Sequence, residues 1–299
     1  MLHFVIASVS CGNVGEVNLD FVHLSWINVI FLGIVQGITE LLPISSTAHL
    51  RVVPSLLGLQ DPGSAFSAAM QLASLAAVLI YFWHDIKKLI GETFRAAIGQ
   101  DYQSSSLRTT LGLVLGTLPI VVAGLLLKPL LNSCGSPLRG LVVIGGASII
   151  MSGLLAIAEK LGKRERTFEQ ITLWDGILVG IAQAFALIPG VSRSGSTLTA
   201  GLFLGMERET SARFSFLLGL PAVILAGAVE FHTLFKAGLS TDGWITLLIG
   251  LTSASISAFM AIWGLLRYLE SRSTWIFVFY RFAMGVFLII AVMNGWLKN

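Results

Sequence analysis

Apolar residues run through this chain in blocks too long for the core of a soluble domain. A helix needs about 20 of them to cross the hydrocarbon core of a bilayer. Six stretches qualify: Ala65 to Trp83, Thr109 to Leu127, Leu138 to Ala158, Ala212 to Phe231, Trp244 to Leu266 and Trp275 to Trp296. Each predicts a membrane-spanning helix. Two further apolar stretches, Trp26 to Leu59 and Leu173 to Met206, are broken midway by polar, proline-containing segments. Each has room for two short helices and predicts no uninterrupted span. His84 to Ser106 mixes charges of both signs with Ile86, Leu89, Ile90 and Phe94, which predicts an amphipathic helix at the membrane surface. The hydroxyl-rich run Thr252 to Ser257 lies inside the fifth span, where small residues mark close helix packing.

The broken stretches are alike. Leu32-Gly33-Ile34-Val35-Gln36, then Pro43, then Ser45-Ser46-Thr47 aligns with Val179-Gly180-Ile181-Ala182-Gln183, then Pro189, then Ser192-Arg193-Ser194. Phe66-Ser67 and Phe214-Ser215 continue the match at nearly the same offset. The repeating unit is one broken hairpin plus three spans, used twice: residues 26–158 and 172–296, after a leader of residues 1–25. Three spans are an odd number, so a hairpin that dips in and returns to its own side leaves the second copy upside down relative to the first. The predicted fold is therefore an all-α integral membrane protein, with six transmembrane helices and two re-entrant helical hairpins in an inverted-topology repeat. Irregular backbone at membrane depth survives only inside protein or beside a watery cavity, so the two tips are expected to meet near the midplane and form a polar site.

Composition narrows the function. Of the 299 residues, 55% are hydrophobic and 12% charged, against about 25% charged in an ordinary soluble domain, which excludes a soluble enzyme. Nineteen Lys and Arg against sixteen Asp and Glu leave only +3, so nucleic acid is not an expected partner. Cys11 and Cys134 have neither metal-ligand spacing nor the numbers for a disulfide framework. Met1 to Ser25 lacks the basic start of a secretory signal and reads as a loosely structured leader; Ser8-Val9-Ser10 before Cys11 matches a lipoprotein signal poorly. On this topology twelve basic residues (Lys87, Lys88, Arg95, Arg108, Lys160, Lys163, Arg164, Arg166, Arg208, Arg213, Arg267 and Arg272) fall on one face and four (Lys128, Arg139, Lys236 and Lys298) on the other. The positive-inside rule makes the first face cytoplasmic and puts both termini outside.

The remaining three basic residues, Arg51, Arg193 and Arg281, lie within apolar segments. Arg193 has no acidic neighbour in its own stretch, so a ligand anion is its expected partner. Arg281 has three options: snorkelling, pairing with an acid such as Glu230, or reaching the site. Arg51 either faces outward or lines an entrance.

At the first break Gln36 and Glu40 share a helix face, and Pro43 ends that half-helix by excluding Leu42 from helical geometry. Ser45, Ser46 and Thr47 are cap residues for a second half-helix, with His49 about one turn further on. At the second break, Pro189-Gly190-Val191-Ser192-Arg193-Ser194 leads to Thr197. Helix N-termini with free N–H groups bind anions, and Arg193 adds a planar fork suited to phosphate oxygens. A carboxylate, an imidazole, hydroxyls and an arginine gathered at two helix N-termini suit phosphoryl transfer. A nucleophile-elbow reading of Gly190 to Ser194 lacks both the final Gly and a preceding strand. A phosphatidic-acid-type phosphatase would need a His after Ser192-Arg193 at a distance where none occurs.

From about Phe21 to the last span the chain resembles the bacterial undecaprenyl pyrophosphate phosphatases of the BacA (UppP) type. The resemblance rests on two signatures: Gln36-x-x-x-Glu40 with Pro43-x-Ser45-Ser46-Thr47-x-His49, and Pro189-Gly190-x-Ser192-Arg193-Ser194-x-x-Thr197. It implies removal of the terminal phosphate from undecaprenyl pyrophosphate at the outer face of the bacterial inner membrane, recycling the lipid carrier for peptidoglycan synthesis. It also implies a divalent cation, Mg or Ca, held by Glu40 and Gln36, and is compatible with a homodimer. On this resemblance Glu40, Ser46, His49 and Arg193 are the catalytic candidates, and Ser45, Thr47, Ser192, Ser194 and Thr197 the phosphate-binding ones. The nucleophile is Ser46, His49 or an activated water. Gln36 stands where some members have Glu; its carbonyl can ligate a metal, but it supplies no charge. The alternative function is a secondary transporter or flippase of a polyprenyl phosphate, because paired broken helices also mark transporters.

Overall fold

The computed structural model describes residues 19–59, 63–132, 138 and 140–297; Cys11, Cys134 and most of the leader lie outside them. Among these residues the secondary structure is helical, apart from one isolated bridge between Arg166 and Met206. The first broken stretch becomes α1 (Trp26–Leu41) and α2 (Ser46–Leu57). It is followed by α3 (Gly63–Tyr81), α4 (Trp83–Ile98), α5 (Ser105–Asn132) and α6 (Leu141–Leu161). The second becomes α7 (Leu173–Ala184), a single 3-10 turn and α8 (Arg193–Phe203), followed by α9 (Arg208–Lys236), α10 (Thr241–Leu269) and α11 (Trp275–Met293).

Among the described residues five helices, α5, α6, α9, α10 and α11, are long and apolar enough to cross a membrane by themselves. The remaining expected span, α3, passes that test only together with α4, from which it turns by 72° at Phe82. That bend fits the amphipathic reading of α4, which stops at Ile98, short of Ser106. Before α1, Asp20–His23 forms a short 3-10 helix whose Phe21 is fully buried against Phe66.

Close approach of small residues sets the helix packing. A Cβ on Gly37 of α1 would lie 2.2 Å from the Ala254 carbonyl of α10, and one on Gly180 of α7 would lie 2.1 Å from the Gly116 carbonyl of α5. Ser257 donates to the Gly33 and Ala254 carbonyls and Ser255 to that of Ala73, so the hydroxyl run of α10 is packing material, as expected. Broken helix α1 of one half thus lies on α10 of the other, and α7 lies in the corresponding way on α5.

The second broken stretch begins and ends at one place. Asp175, in the first turn of α7, accepts from both Nη atoms of Arg166 at 2.8 and 2.5 Å, and Arg166 Nη1 also donates to the Leu204 carbonyl just beyond α8 at 3.0 Å. The Asp175 hydrogen bond holds the Arg166 pKa above the ordinary guanidinium value. Nearby, buried Glu159 accepts from Arg164, Arg208 and Thr274, tying the ends of α6, α9 and α11 together. On the other side of the molecule, Ala48 and Val52 of α2 pack with Leu141 and Ile144 of α6 and with Leu288 and Ala291 of α11.

Candidate active site

At both breaks the residue ahead of the proline is extended, Leu42 before Pro43 and Ile188 before Pro189, although α7 first passes through its 3-10 turn. Leu42, ahead of Pro43, is extended at φ −69° and ψ 145°, which ends α1. The residue that opens each returning helix has positive φ: Ser45 at 72° and Ser192 at 69°. Non-glycine residues in that region cost on the order of 1 to 3 kcal/mol and concentrate at functional sites. The two serines differ in how they are used. Ser192 Oγ caps α8 by accepting from the Gly195 N–H at 3.2 Å. The Ser45 side chain, expected to cap α2, makes no such bond; its backbone carbonyl instead meets the His49 ring.

Glu40 is where the two breaks meet. Its Oε2 accepts from Gln36 Nε2 at 3.0 Å and from Ser46 Oγ at 2.6 Å. Its Oε1 lies 3.4 Å from Arg193 Nη2. Arg193 therefore has an acid partner after all, 153 residues away in the other half and invisible in its own stretch. Ser194 joins the breaks a second time, donating to the carbonyls of Leu42 at 2.9 Å and Glu40 at 3.3 Å, and so satisfies the end of α1.

His49 lies one turn into α2, as expected, but its ring has other partners than the serine hydroxyls. Neither ring nitrogen is bonded to a serine hydroxyl: Nδ1 lies 2.8 Å from the Ser45 carbonyl, and Nε2 lies 2.5 Å from Tyr280 Oη. A carbonyl only accepts, so Nδ1 carries a proton, and in the neutral imidazole the lone pair is on Nε2. The Ser46 proton is thus held by Glu40, not by His49.

Other expected residues spread outward. Ser192 Oγ is 3.3 Å from Ser194 Oγ at the start of α8, while Thr47 points to the exterior. Thr197 is fully buried and bonds to the Arg193 carbonyl at 2.8 Å and to Ser215 of α9 at 2.5 Å, so its hydroxyl fastens α8 to α9 behind the site. Gln36 is 1% exposed and its Oε1 has no protein partner. Among the described residues no cluster of three His, Cys, Asp or Glu occurs. The donors at hand are oxygens, the Gln36 carbonyl and the Glu40 carboxylate, which suit a hard cation such as Mg or Ca; the orphaned Gln36 acceptor fits such an ion.

Two participants escaped sequence reasoning, and a third was left unassigned. Tyr280 bonds to His49 and stacks on it, with ring centroids 5.6 Å apart. Arg281, left open between three options, is 1% exposed, which excludes snorkelling, and its hydrogen bonds reach both turns; the Glu230 side chain lies outside the described residues. Gly219 of α9 makes room for Arg193, since a Cβ there would fall 1.8 Å from Nη1. The one available signal was a cation beside a tyrosine in an otherwise apolar span.

These features define a polytopic helical membrane protein whose polar centre is assembled from two helix breaks on separate halves of the chain, with a hydroxyl, a carboxylate and an arginine in one hydrogen-bonded row. The model for the family of the bacitracin resistance protein BacA matches residues 29–287, and the chain belongs to that family. Among curated relatives, an undecaprenyl-diphosphatase of Trichormus variabilis is 53% identical over 96% of this chain and 88% of its own length. An undecaprenyl-diphosphatase 2 of Mesorhizobium japonicum is 57% identical over 88% of this chain and 99% of its own. An undecaprenyl-diphosphatase of Gloeobacter violaceus is 54% identical over 90% and 93%.

Proposed function

We propose that this protein is an undecaprenyl-diphosphatase of the bacterial inner membrane, removing the terminal phosphate of the lipid diphosphate with Ser46 as nucleophile and Glu40 as its base. One observation carries the mechanism: the Ser46 hydroxyl donates to Glu40 at 2.6 Å while Arg193 approaches the same carboxylate from the other half. A serine needs an adjacent base to attack at neutral pH. As the Ser46 Oγ–P bond forms, the proton passes to Glu40 and the P–O bond to the lipid phosphate breaks. Water then cleaves the phosphoserine, releasing inorganic phosphate and restoring the hydroxyl. Arg193 and the N–H groups opening α2 and α8 stabilise the charge on the transferred phosphoryl group. Gln36 and Glu40 are the residues that would hold the divalent cation, which supplies neutralisation of the diphosphate oxygens.

The lipid end of the substrate has a path. An apolar groove of about 720 Å³ beside α1, lined by Ile34, Ile38, Leu42, Ser257, Met260 and Leu265, ends at the residue next to the first break. The two breaks are read as tips of re-entrant hairpins in an inverted repeat. The return of α8 to Arg166 and the matched packing of α1 on α10 and α7 on α5 support that reading. Both termini then face outward.

Phosphate release from undecaprenyl diphosphate by the purified protein, with and without a chelator and beside Ser46→Ala, tests the proposal. Release that needs divalent cation and collapses in the variant is the expected result. Failure of the wild type to release phosphate, together with movement of the lipid phosphate across liposomes, would replace it with the transporter reading.

A further inference from the structure

Helix breaks at membrane depth leave carbonyls without their intrahelical donors, and each must find a partner inside the protein. One side chain serves both breaks. Arg281 Nη1 donates to the Pro43 carbonyl at 3.1 Å, and Nη2 donates to the carbonyls of Gly190 at 2.9 Å and Val191 at 2.8 Å. These carbonyls belong to turns about 147 residues apart, as the spacing of Pro43 and Gly190 shows. The guanidinium also lies under the first turn of α8: a Cβ on Gly195 would meet its Nη1 at 2.3 Å. Its neighbour Tyr280 places a hydroxyl 2.5 Å from His49 Nε2, the nitrogen that carries the lone pair of the neutral ring. Both contacts come from consecutive residues of α11, outside either signature.

We propose that the Tyr280-Arg281 pair of α11 is the positioning element of the active site: Arg281 locks the first turn to the second, and Tyr280 holds His49 in the tautomer protonated at Nδ1. The pair works through other groups and needs no contact with the substrate. Arg281 sets the separation across which Glu40 and Ser46 of one half face Arg193 of the other. An ammonium cannot replace the fork, because it presents its donors from a single atom and cannot span two turns. Tyr280 is 43% exposed, so Phe at that position keeps the packing and removes only the hydroxyl.

The inference rests on the phosphatase reading, and its first test is independent of that reading. In detergent-solubilised protein labelled with ¹⁵N-histidine, His49 is assigned as the resonance missing from His49→Gln. In the wild type it is expected to show protonated Nδ1 and hydrogen-bonded, unprotonated Nε2. In Tyr280→Phe the Nε2 resonance is expected to shift, and kcat on undecaprenyl diphosphate to fall about tenfold, as for loss of one hydrogen bond, with KM unchanged. Gly195→Ala keeps every charge but pushes the Arg281 guanidinium off the turns; it and Arg281→Lys are expected to lower kcat about a hundredfold or more with the helix content of the wild type. His49 resonances unmoved by Tyr280→Phe would overturn the role of Tyr280, and wild-type kcat in Gly195→Ala would overturn that of Arg281, a result that stands even if Arg281→Lys fails to fold. A wild-type protein that releases no phosphate would refute the phosphatase reading alone, leaving the resonance experiment to decide this one.

Discussion

Ser46 and Glu40 are six residues apart, too far to meet on one straight helix, and they meet here because Pro43 and the positive φ of Ser45 fold the chain back between them. The chemistry of the pair follows from that turn. Ser46→Ala is expected to lower kcat by about three orders of magnitude or more with little change in KM, because attack is made only in the transition state; steady-state phosphate release measures it. Arg193→Lys should lose most activity although the charge stays, since an ammonium cannot grip two phosphate oxygens in a planar fork. Near-normal turnover in that variant would reduce Arg193 to a counter-charge for Glu40. The serines that open the two returning helices should behave differently. Ser192→Ala removes a cap worth about 1 kcal/mol and is expected to lower the Tm in detergent, whereas Ser45→Ala, with no cap bond to lose, is expected to leave it unchanged.

At the scale of elements, glycine decides where the broken helices can lie. With Gly180 against the Gly116 carbonyl and Gly37 against that of Ala254, no side chain fits between the backbones. Gly180→Val should separate α7 from α5 at a cost of about 1 to 3 kcal/mol, typical of overpacking, and displace the second turn from the first. Thermal unfolding together with phosphate release checks both effects. The positions and type of the helices were largely legible beforehand, since blocks of apolar residues and their proline breaks leave few alternatives in a bilayer. The size of the bend between α3 and α4 and the exact use of Ser45 were not, because neither an angle nor a side-chain partner is written in a local pattern.

Across the whole molecule, charge is distributed unevenly, and part of the basic face is structural. Arg164 and Arg208 pair with Glu159, Arg166 with Asp175 and Arg213 with Asp85. The remaining excess still predicts orientation: in a cysteine-accessibility map of intact cells, position 240 should label from outside and position 163 should not. Labelling of position 163 from outside would invert the topology.

What the sequence alone determined is whatever depends on residues close together along the chain. Apolar block length, the proline breaks, the doubling of the broken stretch and the two signatures were all readable, because each is a local pattern and the bilayer enforces it. The tertiary structure alone decided the partnerships. Glu40 with Arg193, His49 with Tyr280, and Arg281 with both turns join residues between 90 and 238 positions apart. His49 illustrates the reason: its spacing put it within a turn of two serines, yet buried donors and acceptors must each be satisfied where they lie. The nearest partners in space for its two nitrogens were the backbone carbonyl of Ser45 and a hydroxyl carried in by the last helix.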